Sequence, residues 1–196
     1  MSMFKRRGKD RVLVQLPPYA AGLLASLAGQ IIELLSDGEA VGEAADPLEE
    51  MVGLDGPRDV PEDPALRRLL PDGIRGDEEA AAEFRRFTER SLRRSKIDDA
   101  RLLLSAVKSA ADELEGEEPN AGMTDLELEL DRDEVRAWMR CLTDMRLTLA
   151  ERLGVEADDD ERWDALPDDD PRVAVHDIYQ WLGYLLESLL DAATSR

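Results

Sequence analysis

The chain has 196 residues, enough to bury a core without disulfide or metal staples, and 43% are apolar, which argues against wholesale disorder. Its 25 Lys and Arg against 45 Asp and Glu leave a formal net charge of −20, which opposes generic DNA or RNA binding because that rests on neutralising phosphates. The one cysteine, Cys141, excludes an intrachain disulfide and a cysteine-based zinc site, and suits a reducing cytoplasm.

The first residues are basic, but the apolar run after them is broken and lies past Pro17-Pro18, so no signal peptide is expected. Val12 to Leu16 reads as a short strand, closed by prolines that cannot continue a ladder. A helix is predicted over 18–36, with Asp37-Gly38 as its stop. Ala20, Leu23, Leu24, Leu27, Ile31, Leu34 and Leu35 share its broad apolar face. Ser26, Gln30 and Glu33 argue against a membrane span there.

Residues 38–63 lack clear periodicity and are rich in Gly, Pro, Asp and Glu. They read as a flexible acidic loop with a turn of helix around Pro47 to Val52. Pro64 opens a short helix stopped by Pro71-Asp72-Gly73. A long helical region follows, from Asp77 to about Leu114. Ala80, Phe84, Phe87 and Ser91 share one face of it, while Leu103, Val107, Ala110 and Leu114 form a second set out of phase with the first. A break or kink is therefore expected between Ser95 and Asp99.

A loop is predicted over 115–122, then a strand in which Leu126, Leu128 and Leu130 alternate with acids. Its expected partner is the strand at Val12 to Leu16. Asp131 and Glu134 have the spacing of a capping box for a helix that ends before Gly154. After an acidic loop holding Trp163 and Leu166, Asp170 caps and Pro171 opens the last helix. The fold class is mainly α: one domain over 1–196, a bundle of about five helices with a minor two-stranded sheet.

No assembled active site is legible. Nucleophilic catalysis needs a base beside the nucleophile, and the single histidine, His176, lies off the apolar stripe of its helix. The acidic runs Asp158 to Glu161 and Asp168 to Asp170 lack the glycine and ligand spacing of a calcium loop. Phosphate-binding glycine motifs are absent. The reading is therefore of a protein that is not an enzyme and carries no cofactor.

Charge is unevenly placed. Lys5, Arg6, Arg7, Lys9 and Arg11, with Arg85, Arg86, Arg90, Arg93, Arg94, Lys96 and Arg101, are 12 of the 25 basic residues. Arg86, Arg90, Arg93 and Arg94 lie on the side of their helix opposite Phe84 and form a candidate docking strip for an anionic partner, or else a solvated face. Arg146 falls inside an apolar stripe between Leu142 and Leu149. A guanidinium there must be paired or groove-facing, so it is either a ligand or partner contact or half of an internal salt bridge. Cys141, one turn from Trp138 and Met145, is a redox candidate if accessible and a structural thiol if not. Small residues on the first helix and leucines on the last serve either a core or a homodimer.

The run Asp63-Pro-Ala-Leu-Arg-Arg-Leu-Leu-Pro-Asp-Gly, then Asp77-Glu-Glu-Ala-Ala-Ala-Glu-Phe-Arg-Arg-Phe-Thr-Glu, resembles the actinobacterial domain-of-unknown-function family 2017. So do Trp138 with Asp144 to Gly154, and Tyr179-Gln-Trp-Leu-Gly. The resemblance implies a cytoplasmic protein. In some members it implies an oxidative-stress transcription regulator acting with an alternative sigma factor through cysteine oxidation within the chain. With Cys141 alone, that switch does not carry over to this sequence. The resulting expectation is a non-enzymatic regulatory protein acting on a protein partner, such as a sigma factor. Its alternatives are a direct DNA-binding regulator and a small-ligand protein or enzyme with a carboxylate and Arg146 pocket.

Overall fold

Two antiparallel strands open the chain, β1 (Phe4–Arg7) and β2 (Arg11–Leu16), joined by a turn in which Gly8 takes a positive φ of 71°. The computed structural model describes residues 3–8, 10–37, 59–117, 124–157, 159–167 and 169–195. The predicted loop at 38–63 and its turn of helix therefore fall largely outside the described residues. The remaining elements are α1 (Pro18–Ser36), α2 (Pro64–Leu69), α3 (Glu78–Glu117), β3 (Leu126–Leu130), α4 (Arg132–Leu153), α5 (Asp160–Asp164) and α6 (Pro171–Thr194). The architecture is mainly helical, with six helices among the described residues and a small antiparallel sheet.

The sheet order is β1-β2-β3, and β2 pairs with β3 in the register Val12↔Leu130 to Leu16↔Leu126. That is the pairing expected from the sequence, with one strand more than expected. β1 escapes a periodicity reading because three of its four residues are Lys or Arg and only Phe4 is buried. Its stability comes from pairing. On the outer face of the sheet Lys5 donates to Gln15 at 2.5 Å, and Gln15 in turn donates to Glu127 at 2.5 Å. Arg7 pairs with Glu129 at 2.5 Å. Such cross-strand polar pairs hold the register while Val12, Val14, Leu16, Leu126 and Leu130 fill the inner face.

α1 packs on α3, and α4 packs on both α3 and α6. α1 is long and apolar enough to cross a membrane by length and composition. Here Ala20, Leu24, Leu27, Ala28, Ile31 and Leu35 on one side of it are buried in the core. The caps follow the sequence closely. Asp63 accepts from the backbone N–H groups of Ala65 and Leu66, and Asp170 from that of Arg172. Asp131 and Glu134 form the full capping box of α4, and Gly154 closes that helix with φ 64°.

α3 departs from expectation. It runs as one helix through Ser95 to Asp99, without the break. Its buried side is continuous in phase: Ala81, Arg85, Glu89, Arg93, Ile97, Ala100, Leu103, Val107 and Ala110. The apparent phase break came from taking the aromatics as the buried set. Phe84 and Phe87 point outward, and ions take the inward positions of the first turns.

Candidate functional site

The long helix α3 positions the basic strip. Arg90 and Arg94 are exposed on its outer side, and Arg86 is half-buried. Arg93, predicted to join them, does not. It is 5% exposed in the α1–α3 interface. Its Nε donates to Glu89 at 2.8 Å, and its Nη1 to the carbonyl of Leu35 at 2.9 Å. α1 carries no basic residue in its last turn, so Arg93 supplies from another helix the cation that the negative end of α1 favours. Arg85 is likewise buried and pairs with Asp72.

Arg146 on α4 forms no ion pair among the described residues. Its guanidinium lies over the ring of Tyr179, 4.4 Å from the centroid. Gly183 on α6 makes room for this, because a Cβ there would sit 3.3 Å from Arg146 Nε. That Nε is buried without a hydrogen-bond partner among the described residues. The attraction of the cation to the ring, worth about 0.5–2 kcal/mol, offsets part of this cost. Tyr179 continues into a stack. His176 lies 5.9 Å from it, and Trp163 stacks on His176 at 4.3 Å with the planes 5° apart. Trp163 Nε1 donates to Asp159 at 2.9 Å. The carboxyl of Asp159 is held below the ordinary range, first by the backbone N–H of Glu156 and then by Trp163 and the Arg162 guanidinium. This stack pins α5 and its loop to α6. Sequence reasoning missed it, though Trp163 in an acidic loop was its one visible signal.

Cys141 lies on the inner side of α4, 1% exposed. It is flanked by two ion pairs that bridge α3 and α4. Arg140 donates twice to Asp99, at 2.7 and 2.6 Å, and Lys96 donates to Asp144 at 2.6 Å. Burial pushes the thiol up to about 12, and the carboxylates of Asp144 and Asp99 add to the effect. Only the thiolate reacts. Relative to an unperturbed thiol, a shift from 9.0 to about 12 lowers the thiolate fraction at pH 8 on the order of 10³-fold. Alkylation of the native chain by iodoacetamide, followed by mass spectrometry, is therefore expected to be slower than that of the urea-unfolded chain by about tenfold or more, since the greater nucleophilicity of a high-pKa thiolate offsets part of its lower population. Equal rates in the two states would remove the buried-thiol account.

These residues do not converge on one cleft. The strip lies on the outside of α3, Cys141 between α3 and α4, and Arg146 between α4 and α6. A family model, the domain of unknown function DUF2017, matches residues 1–193. The chain belongs to the DUF2017 family. Within it, this DUF2017 chain is 35% identical over 193 residues to the protein named oxidative stress regulator AosR in Mycobacterium bovis, covering 94% of this chain and 83% of the relative. The protein of that name in Mycobacterium tuberculosis shows the same 35% identity over 193 residues and the same coverage. A relative from Mycobacterium leprae is 33% identical over 184 residues, 89% of this chain and 79% of its own. The relatives are named as regulators, and no enzymatic family is indicated. No solved structure matches.

Proposed function

We propose that this DUF2017 protein is a non-enzymatic regulator of the oxidative-stress response that acts by binding another protein. The observation that carries this reading is the 35% identity, over 94% of the chain, to proteins named oxidative stress regulators. The exposed arginines Arg90 and Arg94, with Arg86 beside them, support a docking role for α3. Local positive charge on a chain of net −20 steers an acidic partner to one face and leaves the rest of the surface repulsive to it. Arg146 and Cys141 belong to the scaffold in this reading, since both pack between helices. With the one thiol buried, oxidant sensing falls to the partner or to the complex.

The test is affinity capture from oxidant-treated and reduced cells, with bound proteins identified by mass spectrometry. A specific partner is expected in at least one state. The Arg90→Glu/Arg94→Glu chain should capture at least about tenfold less, since reversing two interface charges costs more than 1.4 kcal/mol. Its helix content should stay unchanged, because both residues are exposed. Capture that survives the charge reversal would refute the strip.

A further inference from the structure

The N-terminal half of α3 turns its aromatic residues to solvent and its charges to the core. Phe84 and Phe87 are 43% and 51% exposed, while Arg85, Glu89 and Arg93 are each under 10% exposed. Burial within one chain favours the reverse arrangement. A segment that breaks the local rule marks a place where another requirement acts.

The outward residues recur at the alternating three- and four-residue spacing of a helix-pairing seam: Asp77, Ala80, Phe84, Phe87, Ser91 and Arg94. All are exposed except Ala80, which is half-buried. Glu83 and Arg90, both exposed, flank the seam on one edge. Phe84 is also held in place, because its ring lies against Gly73, where a Cβ would come within 2.3 Å of it. An aromatic fixed in its exposed position loses less freedom on binding.

This seam complements itself when reversed. Acid lies at its N-terminal end and base at its C-terminal end, with the two aromatics in the middle. Laid antiparallel on its own copy, with the two-fold axis between Arg85 and Arg86, it brings Phe84 onto the second copy's Phe87 and the reverse. Ala80 then meets Ser91, and Asp77 meets Arg94. Along the edge Glu83 meets Arg90. A two-fold contact is self-complementary by construction, so each pair occurs twice and four phenylalanines form its centre. We propose that the outward face of α3 from Asp77 to Arg94 pairs antiparallel with the same face of a second copy of this chain. The seam is 18 residues, about 27 Å at 1.5 Å per residue. It is narrow beside a standard interface of about 1,600 Å², so the dimer is reversible and dissociates on dilution. Self-pairing does not depend on the docking function proposed above. Because it uses the same arginines, it hides the docking strip while it lasts.

Sedimentation equilibrium over a wide concentration range tests this. A monomer–dimer equilibrium is expected. Phe87→Glu should weaken it at least about tenfold with the circular dichroism unchanged. Glu83→Arg and Arg90→Glu should each weaken it, and the two together in one chain should restore it. These residues are seven apart on one helix, so the restoration must arise between chains. Cysteine cross-linking reads the direction. An equal mixture of Ala80→Cys and Ser91→Cys chains should form disulfide dimers, with the unsubstituted chain as the blank. Ser91→Cys alone should not, because the two copies of that position lie about 16 Å apart along the seam, beyond the reach of a disulfide. A chain that stays monomeric up to its solubility limit, a dimer indifferent to Phe87→Glu, or self-cross-linking of Ser91→Cys would each overturn the proposal. Loss of protein capture by Phe87→Glu in a chain that never dimerises would overturn self-pairing and leave the docking function standing.

Discussion

Glu89→Ala is expected to lower the unfolding free energy by about 3 kcal/mol, because it strips a buried guanidinium of its carboxylate. Arg93 and Glu89 are 5% and 3% exposed, and Arg93 Nε and Nη2 both rest on Glu89 Oε1. After the substitution the bond to the Leu35 carbonyl remains, but the charge is no longer neutralised. Removing both ions should cost much less, since a buried pair replaced by apolar residues of similar volume is often close to neutral. The Glu89→Met/Arg93→Met chain is therefore expected to regain most of the loss. Some deficit should persist, because the end of α1 loses its cation. Urea unfolding followed by circular dichroism measures all three chains. A double variant as unstable as Glu89→Ala would show that the pair itself, and not the orphaned charge, carries the stability.

Lys96→Met should produce a loss of similar size, about 3 kcal/mol near neutral pH, and here the loss should depend on pH. Asp144 is 3% exposed, accepts from Lys96 at one oxygen and leaves the other, Oδ2, without a hydrogen-bond partner among the described residues. Burial raises its carboxyl above the ordinary range, Lys96 opposes that rise, and Asp99 adds to it. A raised folded value means that the folded chain holds the proton more tightly than the unfolded one. The stability tied to that proton is thus fully present below the unfolded value, about 3.9, and is lost as pH rises through the folded one. Removing Lys96 widens the gap. The penalty of Lys96→Met should therefore shrink as pH falls from 7 towards 4 and Asp144 becomes neutral. A penalty equal at both ends of that range would sink this account. Adding Asp144→Asn to Lys96→Met should flatten the pH dependence.

Both predictions rest on ions inside the bundle, and these ions mark the limit of what was legible in the sequence. Ends and caps were legible because their causes are local. Pro18, Asp63 with Pro64, Asp131 with Glu134, Gly154, and Asp170 with Pro171 each satisfy or remove a backbone group within a few residues. The pairing of β2 with β3 followed from alternation, since a one-residue slip would turn the leucines of β3 outward. Membership of the DUF2017 family was equally readable, from runs such as Glu83 to Thr88.

The side of α3 that faces inward was not readable. Apolar periodicity assigns burial by transfer free energy, and on that scale Phe84 and Phe87 belong inside while Arg85, Glu89 and Arg93 belong outside. The tertiary structure reverses this. Asp72, from the segment between α2 and α3, Glu89 on α3 itself and the end of α1 come to the same place and neutralise the arginines there. The same holds for Arg146, whose partner proved to be a ring on α6 thirty-three residues away, and for Cys141, whose thiol is pushed up first by its burial among packed helices and then by the carboxylates of Asp144 and Asp99. Local sequence thus determined where α1, α2, α4 and α6 begin and how α2, α4 and α6 are capped, but not α5, which lies in the stretch read as an acidic loop and has no side-chain cap. Which charges go inside was decided only by packing: the Glu89–Arg93 pair is local, but Asp72, the end of α1 and Asp144 on α4 reach Arg85, Arg93 and Lys96 through the fold, and a buried ion is stable only beside such groups.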